Sequence, residues 1–392
     1  MKEPKLRFKA DNGTKFPDWK EKRLNDVCEY NKGQSVGINY VGTENMKQDF
    51  SGVNDLDSEN EVKGVTYNIG DTLMSNIRPY LKKTWKADVK GVCSTDVLVF
   101  HPTNINSDYL YRNISSEKFI SYVMTAAKGS KMPRGDKEHI MNYDIQVPCL
   151  PEQQKIASLF AEIDTLIQSA EKELEGYREL KQCMLQKMFP KKGEKVPELR
   201  FPEFTGDWEW HKVGELLEER NEQAPMSDDY PLMAFIANQG VAPKGERYDR
   251  SALVSDEAGK KYKRTEFGDF IYSSNNLEAG SIGLNKYGNA CISPVYSIFK
   301  PAGKTDLDFL GRRFLRKDFI NEMIRWRQGA VYGQWKIHET DFMKIGVRIP
   351  SVNEQRKIGQ YFNSLDNLIM SQQQELDSYK ELKKGLLQQM FC

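Results

Sequence analysis

Two stretches in each half of this chain combine positive charge, aromatic rings and short polar side chains in a way suited to contacting phosphates and base edges. In the first half Arg78, Tyr80, Lys82 and Lys83 lie close together, and Lys128, Ser130, Lys131 and Arg134 surround Gly129, Pro133 and Gly135. In the second half Ser274, Asn275 and Asn276 form one polar run, and Arg325, Arg327, Tyr332, Gln334, Trp335 and Lys336 surround Gly329 and Gly333. Lys and Arg attract phosphate whatever the sequence, whereas Asn, Gln, Ser and Arg read base edges through hydrogen bonds. A basic cluster is ordinarily only a solvated face. Its occurrence in both halves, beside glycine-containing loops with base-reading side chains, points to nucleic acid. Further basic runs at Lys260, Lys261, Lys263 and Arg264, and at Arg312, Arg313 and Arg316, extend the pattern.

Catalytic chemistry finds no matching arrangement. Gly240 and Gly245 have the spacing of a phosphate-binding loop, but Glu246 and Arg247 stand where Lys and Ser/Thr would hold phosphate and magnesium. The run from Asn76 to Tyr80 departs from the Asn/Asp-Pro-Pro-aromatic motif of amino-methyltransferases, and no glycine-rich cofactor motif precedes it. Asp18 with Glu61 and Lys63 matches a nuclease carboxylate set only loosely. The 6 cysteines include no CxxC pair and the 4 histidines lie far apart, so free thiols and no metal are expected. The expectation is a recognition module without catalytic residues, metal or cofactor of its own.

The elements that must position these residues come in duplicate. The 46 residues from Ile145 align without a gap to those from Val347, with 20 identities at a constant offset of 202. A weaker echo links Pro4-Lys-Leu-Arg-Phe8 to Pro197-Glu-Leu-Arg-Phe201, each followed by a tryptophan, Trp19 and Trp208. Between these anchors the halves diverge, although Gly70-Asp71 still matches Gly268-Asp269 and Ser94–Phe100 matches Ser293–Phe299. The chain is two copies of one unit, a variable globular domain followed by a well-matched helical segment. The boundaries read as a first globular domain over 1–147, a helical spacer over 148–189, a linker over 190–197, a second domain over 198–349 and a closing helical spacer over 350–392.

Each spacer carries a heptad seam. Ile156, Phe160, Ile163, Ile167, Ala170, Leu174, Tyr177, Lys181, Met184 and Met188 follow strict 4-3 spacing. Ile358, Phe362, Leu365, Ile369, Gln372, Leu376, Tyr379, Lys383, Leu386 and Met390 repeat it. A lysine interrupts both seams at the same register, and Leu159, Leu166 and Leu180 widen the first stripe beyond a two-stranded contact. Pro151 opens the first helix, Pro190 stops it, and Ser351 to Glu354 reads as a capping box for the second. The alternative is an amphipathic helix packed on its own domain, but a seam sustained past three or four heptads, twice over, favours an antiparallel two-helix coiled coil with helices of about 36 residues and about 54 Å. The domains would then sit at opposite ends of a stiff rod about a pseudo-two-fold axis, an arrangement that works as a ruler. Each domain mixes short strands with one helical stretch and lacks strand–helix alternation, so the fold class is α+β.

Composition agrees with a water-exposed globular chain. Over 392 residues, 57 Lys and Arg face 56 Asp and Glu, so distribution and not net charge must carry any nucleic-acid contact. The N-terminus is charged from its second residue and no apolar run approaches the roughly 18 residues needed to span a bilayer, which reads as cytoplasmic.

With the repeat in hand, the chain resembles the specificity subunit of type I restriction-modification systems over essentially its whole length. The motifs that carry the resemblance are Pro148-Cys-Leu-Pro-Glu-Gln-Gln-Lys-Ile156 and Pro350-Ser-Val-Asn-Glu-Gln-Arg-Lys-Ile358, with the Pro-Glu-Leu-Arg-Phe run and the two Gln-(Lys/Gln)-Met-Phe closures. Asn353 stands where the family more usually has proline. The resemblance implies that each globular domain reads one half of a bipartite site in double-stranded DNA. It also implies that the spacers set the unread gap and dock two methyltransferase subunits, which use S-adenosylmethionine. Restriction/translocase subunits using ATP and Mg2+ would complete the assembly. The other reading of the residues is a coiled-coil adaptor joining protein partners without DNA.

Overall fold

The computed structural model describes residues 4–243, 260–303, 305–331 and 334–391. Tyr332, and Lys244 to Arg247 of the phosphate-loop comparison, lie outside the described residues, as does Cys392. The chain divides into two compact units, Met1–Lys172 with Gln374–Cys392, and Glu173–Gln373. The first long helix, Leu150–Lys187, and the second, Val352–Met390, therefore each contribute to both units.

In the first unit a four-stranded antiparallel sheet runs in the order Cys28–Tyr30, Val97–Pro102, Thr72–Ser75, Thr84–Lys86. A three-stranded sheet of Gln34–Gly37, Val62–Tyr67 and Gly91–Cys93 lies beside it in the chain. The strand Thr72–Ser75 is buried throughout because side chains on both of its faces enter a core. Leu73, Val97 and Val99 belong to one apolar cluster, and Met74, Leu98 and Phe100 to another. That is why Val97–Phe100 reads as a continuous apolar run and not as polar–apolar alternation. Helices Ser107–Ile114 and Glu117–Thr125 follow, capped by Asn106 and Ser116, whose side chains accept from Tyr109 N (3.0 Å) and Phe119 N (3.1 Å).

The second unit repeats this plan with different residues. Its four-stranded sheet is ordered Leu217–Glu219, Ser297–Pro301, Phe270–Tyr272, Ile282–Leu284, and its three-stranded sheet is Gln223–Ala224, Tyr262–Thr265, Ala290–Ile292. Again the central strand divides two cores: Ile271 and Ile298 pack on one side, Phe270, Tyr272 and Phe299 on the other. Gly70 and Gly268 open the two central strands at φ 90 and 89, a left-handed turn that glycine adopts without a Cβ penalty. The fold is α+β and internally duplicated.

Within each unit the long-helix segments pair antiparallel. In the first, Asp164 meets Lys383 at 2.8 Å and Glu171 meets Lys380 at 2.8 Å. In the second, Arg178 meets Gln373 at 3.0 Å and Lys181 meets Asp366 at 2.6 Å. Ile156, Phe160, Ile163, Leu174, Ile358, Phe362, Leu365 and Leu376 are buried, and Ile167, Tyr177, Ile369 and Tyr379 are half-buried between exposed neighbours. The stripe-widening leucines differ: Leu166 and Leu180 are 45% and 39% exposed.

The expected capping box on the second helix is replaced by a longer-range staple. Glu354 turns both carboxylate oxygens to Arg200, at 2.7 and 2.7 Å, and receives Trp208 Nε1 at 3.3 Å. Glu152 does the same with Arg7 (3.1 and 2.9 Å) and Trp19 Nε1 (3.0 Å). The adjacent glutamines bridge helix to domain. Gln153 binds Pro148 O and Asn106 N at 2.8 Å each, and Gln355 binds Pro350 O (2.9 Å) and Asp306 N (3.1 Å). The Glu-Gln motif is thus the joint between each domain and its helix.

Candidate nucleic-acid interface

In the first unit the central strand delivers the chain into a tight segment, Asn76 to Lys83. Arg78 and Lys82 both take left-handed backbone, φ 51 and 55, around the single turn Pro79–Leu81. Such conformations cost non-glycine residues about 1 kcal/mol or more, and the surroundings hold them. Arg78 N donates to Pro133 O at 2.7 Å, and Phe50 N to Lys82 O at 2.8 Å. The partner segment closes on itself through Lys128 N to Arg134 O and Arg134 N to Lys128 O, 2.9 Å each, and Arg134 bridges Ile77. A Cβ on Gly135 would lie 2.9 Å from Asn76 Oδ1, so the two segments touch closely enough to need glycine there. The two first-half clusters read from sequence are one surface.

The second unit builds the same juxtaposition with other atoms. Asn275 Oδ1 accepts Trp335 N at 2.6 Å, and Ser274 Oγ accepts Ile337 N at 3.0 Å. The strands Gln328–Val331 and Gln334–Lys336 form the hairpin that carries this partner segment. The Ser-Ser-Asn-Asn loop and the Gln-Trp-Lys segment are therefore side by side, as Asn76–Lys83 and Lys128–Gly135 are.

Individual side chains divide into engaged and displayed. Lys82 pairs with Glu117 at 2.5 Å, Lys83 Nζ donates to Thr43 O at 2.7 Å, Lys128 pairs with Asp136 at 3.0 Å and Arg134 with Asp96 at 3.1 Å. Two backbone N–H groups and Lys128 hold the Asp136 carboxyl below the usual carboxylate range, with the His139 N–H the strongest of these influences. Arg325 pairs with Glu322 at 2.8 Å and Arg327 forks onto Glu278 at 3.2 and 2.9 Å. Arg78 is half-buried. Ser130, Lys131, Asn275, Asn276 and Lys336 are exposed, with Tyr80 (47%) and Trp335 (46%). Gln334 lies in the hairpin strand.

In the remaining basic runs Lys260 and Lys261 are exposed, whereas Lys263, Arg264, Arg313 and Arg316 are engaged within the fold. Lys263 is 7% exposed and donates to Tyr296 O at 3.0 Å, while Arg264 pairs with Glu222 at 2.7 Å. Arg313 is paired with Asp318 at 3.1 Å, and burial pushes its guanidinium down from the usual value. Arg316 donates to Leu185 O and to Asp318. Lys263, Arg264 and Arg316 each found a carboxylate or carbonyl distant in sequence, whereas Arg313 is satisfied by Asp318 five residues on.

A model of the type I restriction modification DNA specificity domain matches residues 17–176. The type I restriction enzyme MjaVIII specificity subunit of Methanocaldococcus jannaschii is 23% identical over 97% of this chain and 94% of its own length. Residues 17–176 are thus similar to a type I specificity domain, and the chain along almost its whole length is similar to a type I specificity subunit. The Escherichia coli type I restriction enzyme EcoDI specificity subunit is 30% identical over 126 residues, 31% of this chain and 28% of that one. Among solved structures, the type I restriction-modification S subunit from M. genitalium superposes with a TM-score of 0.62 at 13% identity, covering 100% of this chain and 99% of that one. A chain from a structural study of type I R-M complex assembly and conformational transition gives 0.55 at 20% identity, covering 95% and 97%. These likenesses show that the fold is that of a specificity subunit.

Some residues that shape this interface were not read from sequence as contact residues. Asn76, 7% exposed, and Gly135 set the contact between the two first-unit segments. Met132, 50% exposed, projects from the partner segment, and Glu278 orients Arg327. Their one sequence signal is proximity to glycine-containing loops. No helix among the described residues is long and apolar enough to cross a membrane.

Proposed function

We propose that the chain is the non-catalytic DNA-reading subunit of a type I restriction-modification complex, each globular domain reading one half of a bipartite site. The observation that carries this reading is the duplication of one construction. In each domain, the loop after the buried central strand is pinned to a second polar, basic segment, although the residues differ. Different side chains on a shared frame are what two different half-sites require. The exposed candidates for direct contact are Tyr80, Ser130 and Lys131 in one domain and Asn275, Asn276, Trp335 and Lys336 in the other.

In this reading the helix pair sets the unread gap and receives methyltransferase subunits. Leu166 (45%) and Leu382 (50%) in the first unit, and Leu180 (39%) and Leu368 (49%) in the second, are exposed and each directly precedes a core position. In an antiparallel pair such positions share one edge, so each unit offers an apolar edge of the same kind, suited to a partner present twice. S-adenosylmethionine belongs to those methyltransferase subunits, and ATP and Mg2+ to restriction/translocase subunits. The protein-only adaptor reading is not favoured, because it leaves the paired polar loops without a role.

The test is a map of methylated adenines in DNA exposed to the chain with its methyltransferase partner. A single bipartite motif with a constant gap is expected. A contiguous motif, or methylation without sequence preference, would overturn the reading.

A further inference from the structure

Each long helix carries a lysine at a core position of its seam, and both lysines end on an aspartate of the other helix. In the second unit Lys181 Nζ lies 2.6 Å from Asp366 Oδ1, and Arg312, from the helix Leu307–Phe314 of the globular domain, donates to Asp366 Oδ2 at 2.8 Å. In the first unit Lys383 Nζ lies 2.8 Å from Asp164 Oδ1, and Arg112, from the helix Ser107–Ile114, donates to Asp164 Oδ2. Both arginines also lie over a seam phenylalanine, Arg112 over Phe160 and Arg312 over Phe362, each at 5.5 Å. One carboxylate thus ties three elements: its own helix, the antiparallel helix and the reading domain.

We infer that Asp164 and Asp366 are positioning residues for DNA recognition, each holding a reading domain at a set angle to the helix pair and so making the gap between half-sites strict. The inference rests on the DNA-reading function proposed above. A polar residue at a core position lowers stability but selects a register. If the helices slipped by one heptad, about 10 Å, Lys181 would face Gly359 or Gln373 in place of Asp366, and its charge would go unmatched. The arginine extends the same selection to the domain. Its planar fork reaches the second carboxylate oxygen while its face lies on the seam ring, so rotation of the domain against the helices breaks both contacts together. The reading loops contribute nothing to this device, which is why it recurs unchanged in two domains whose loops differ.

The experiment maps methylated motifs with the full chain and its methyltransferase, comparing wild type with Asp164→Asn, Asp366→Asn and the double variant. The half-site letters should stay the same. Methylation of sites with one base pair more or fewer in the gap should rise at least tenfold relative to the correct gap, most in the double variant. Should an asparagine variant fail to fold, Arg112→Lys and Arg312→Lys keep the charge but lose the fork, and should relax the gap in the same sense. Folded variants that keep a wild-type gap overturn the inference while leaving DNA reading intact. Absence of any bipartite motif with the wild-type chain would instead overturn the functional reading, and the inference with it.

Discussion

The side-chain oxygen of Asn275 accepts the backbone N–H of Trp335 at 2.6 Å, joining two loops 60 residues apart in the chain. This gives Asn275 a structural duty beside any base it reads. Replacing it by alanine removes a hydrogen bond worth about 1 kcal/mol and frees the hairpin that carries Gln334, Trp335 and Lys336. Asn275→Ala should therefore relax discrimination across the whole half-site of the second domain and leave the other half-site sharp. Methylation motifs would check this; relaxation at one base pair alone would mean that the pin is dispensable.

The lysines of the first domain are not equivalent. Lys131 is exposed, whereas Lys83 is held by Thr43 O at 2.7 Å. Lys131→Ala should weaken binding to all sequences about equally and lower the slope of log affinity against log salt by about one. Lys83→Ala should leave that slope unchanged and lower the unfolding midpoint. Equal slopes for wild type and Lys131→Ala would remove Lys131 from the phosphate contacts.

The Glu-Gln staples should dominate local stability. Glu354 is 1% exposed and satisfied by Arg200 and Trp208, and removing one partner of a buried ion pair costs about 3–5 kcal/mol. Arg200→Ala should thus destabilise the second unit by about 3 kcal/mol in urea denaturation, since the arginine is itself partly exposed. Arg7→Ala should act likewise on the first unit. Midpoints that do not move would show that the tryptophans alone hold the joint.

The exposed leucine edge predicts assembly. Leu166→Asp together with Leu382→Asp places charge on a surface already in water, so thermal unfolding should change little, within about 0.5 kcal/mol for each site. Co-purification with the methyltransferase subunit should nevertheless fall sharply. Undiminished capture would place the partner elsewhere.

The half-chain 1–196 contains both Asp164 and Lys181, the equivalents of the Asp366 and Lys383 that these residues meet in the full chain. A second copy of the half-chain offers the same complementary pair, so it should dimerise and, with the methyltransferase, direct methylation to a palindromic site. Sedimentation of a monomer, even with that subunit present, would mean that the two helices are not interchangeable.

The sequence alone determined the duplication, the α+β class and the seam, because heptad spacing and a gapless repeat are local properties that survive divergence of the domains. It also marked Asn275 and Trp335, and Arg78 and Arg134, as residues of one kind. Only the tertiary structure decided that the segments carrying each pair meet, and that Lys83 and Lys263 are internal supports. The physical reason is the same throughout. A side chain's charge and hydrogen-bonding capacity are written at its own position, whereas the group that satisfies it comes from a distant segment. Glu354 looked like a local cap, for instance, until Arg200 and Trp208, about 150 residues earlier in the chain, took both its oxygens.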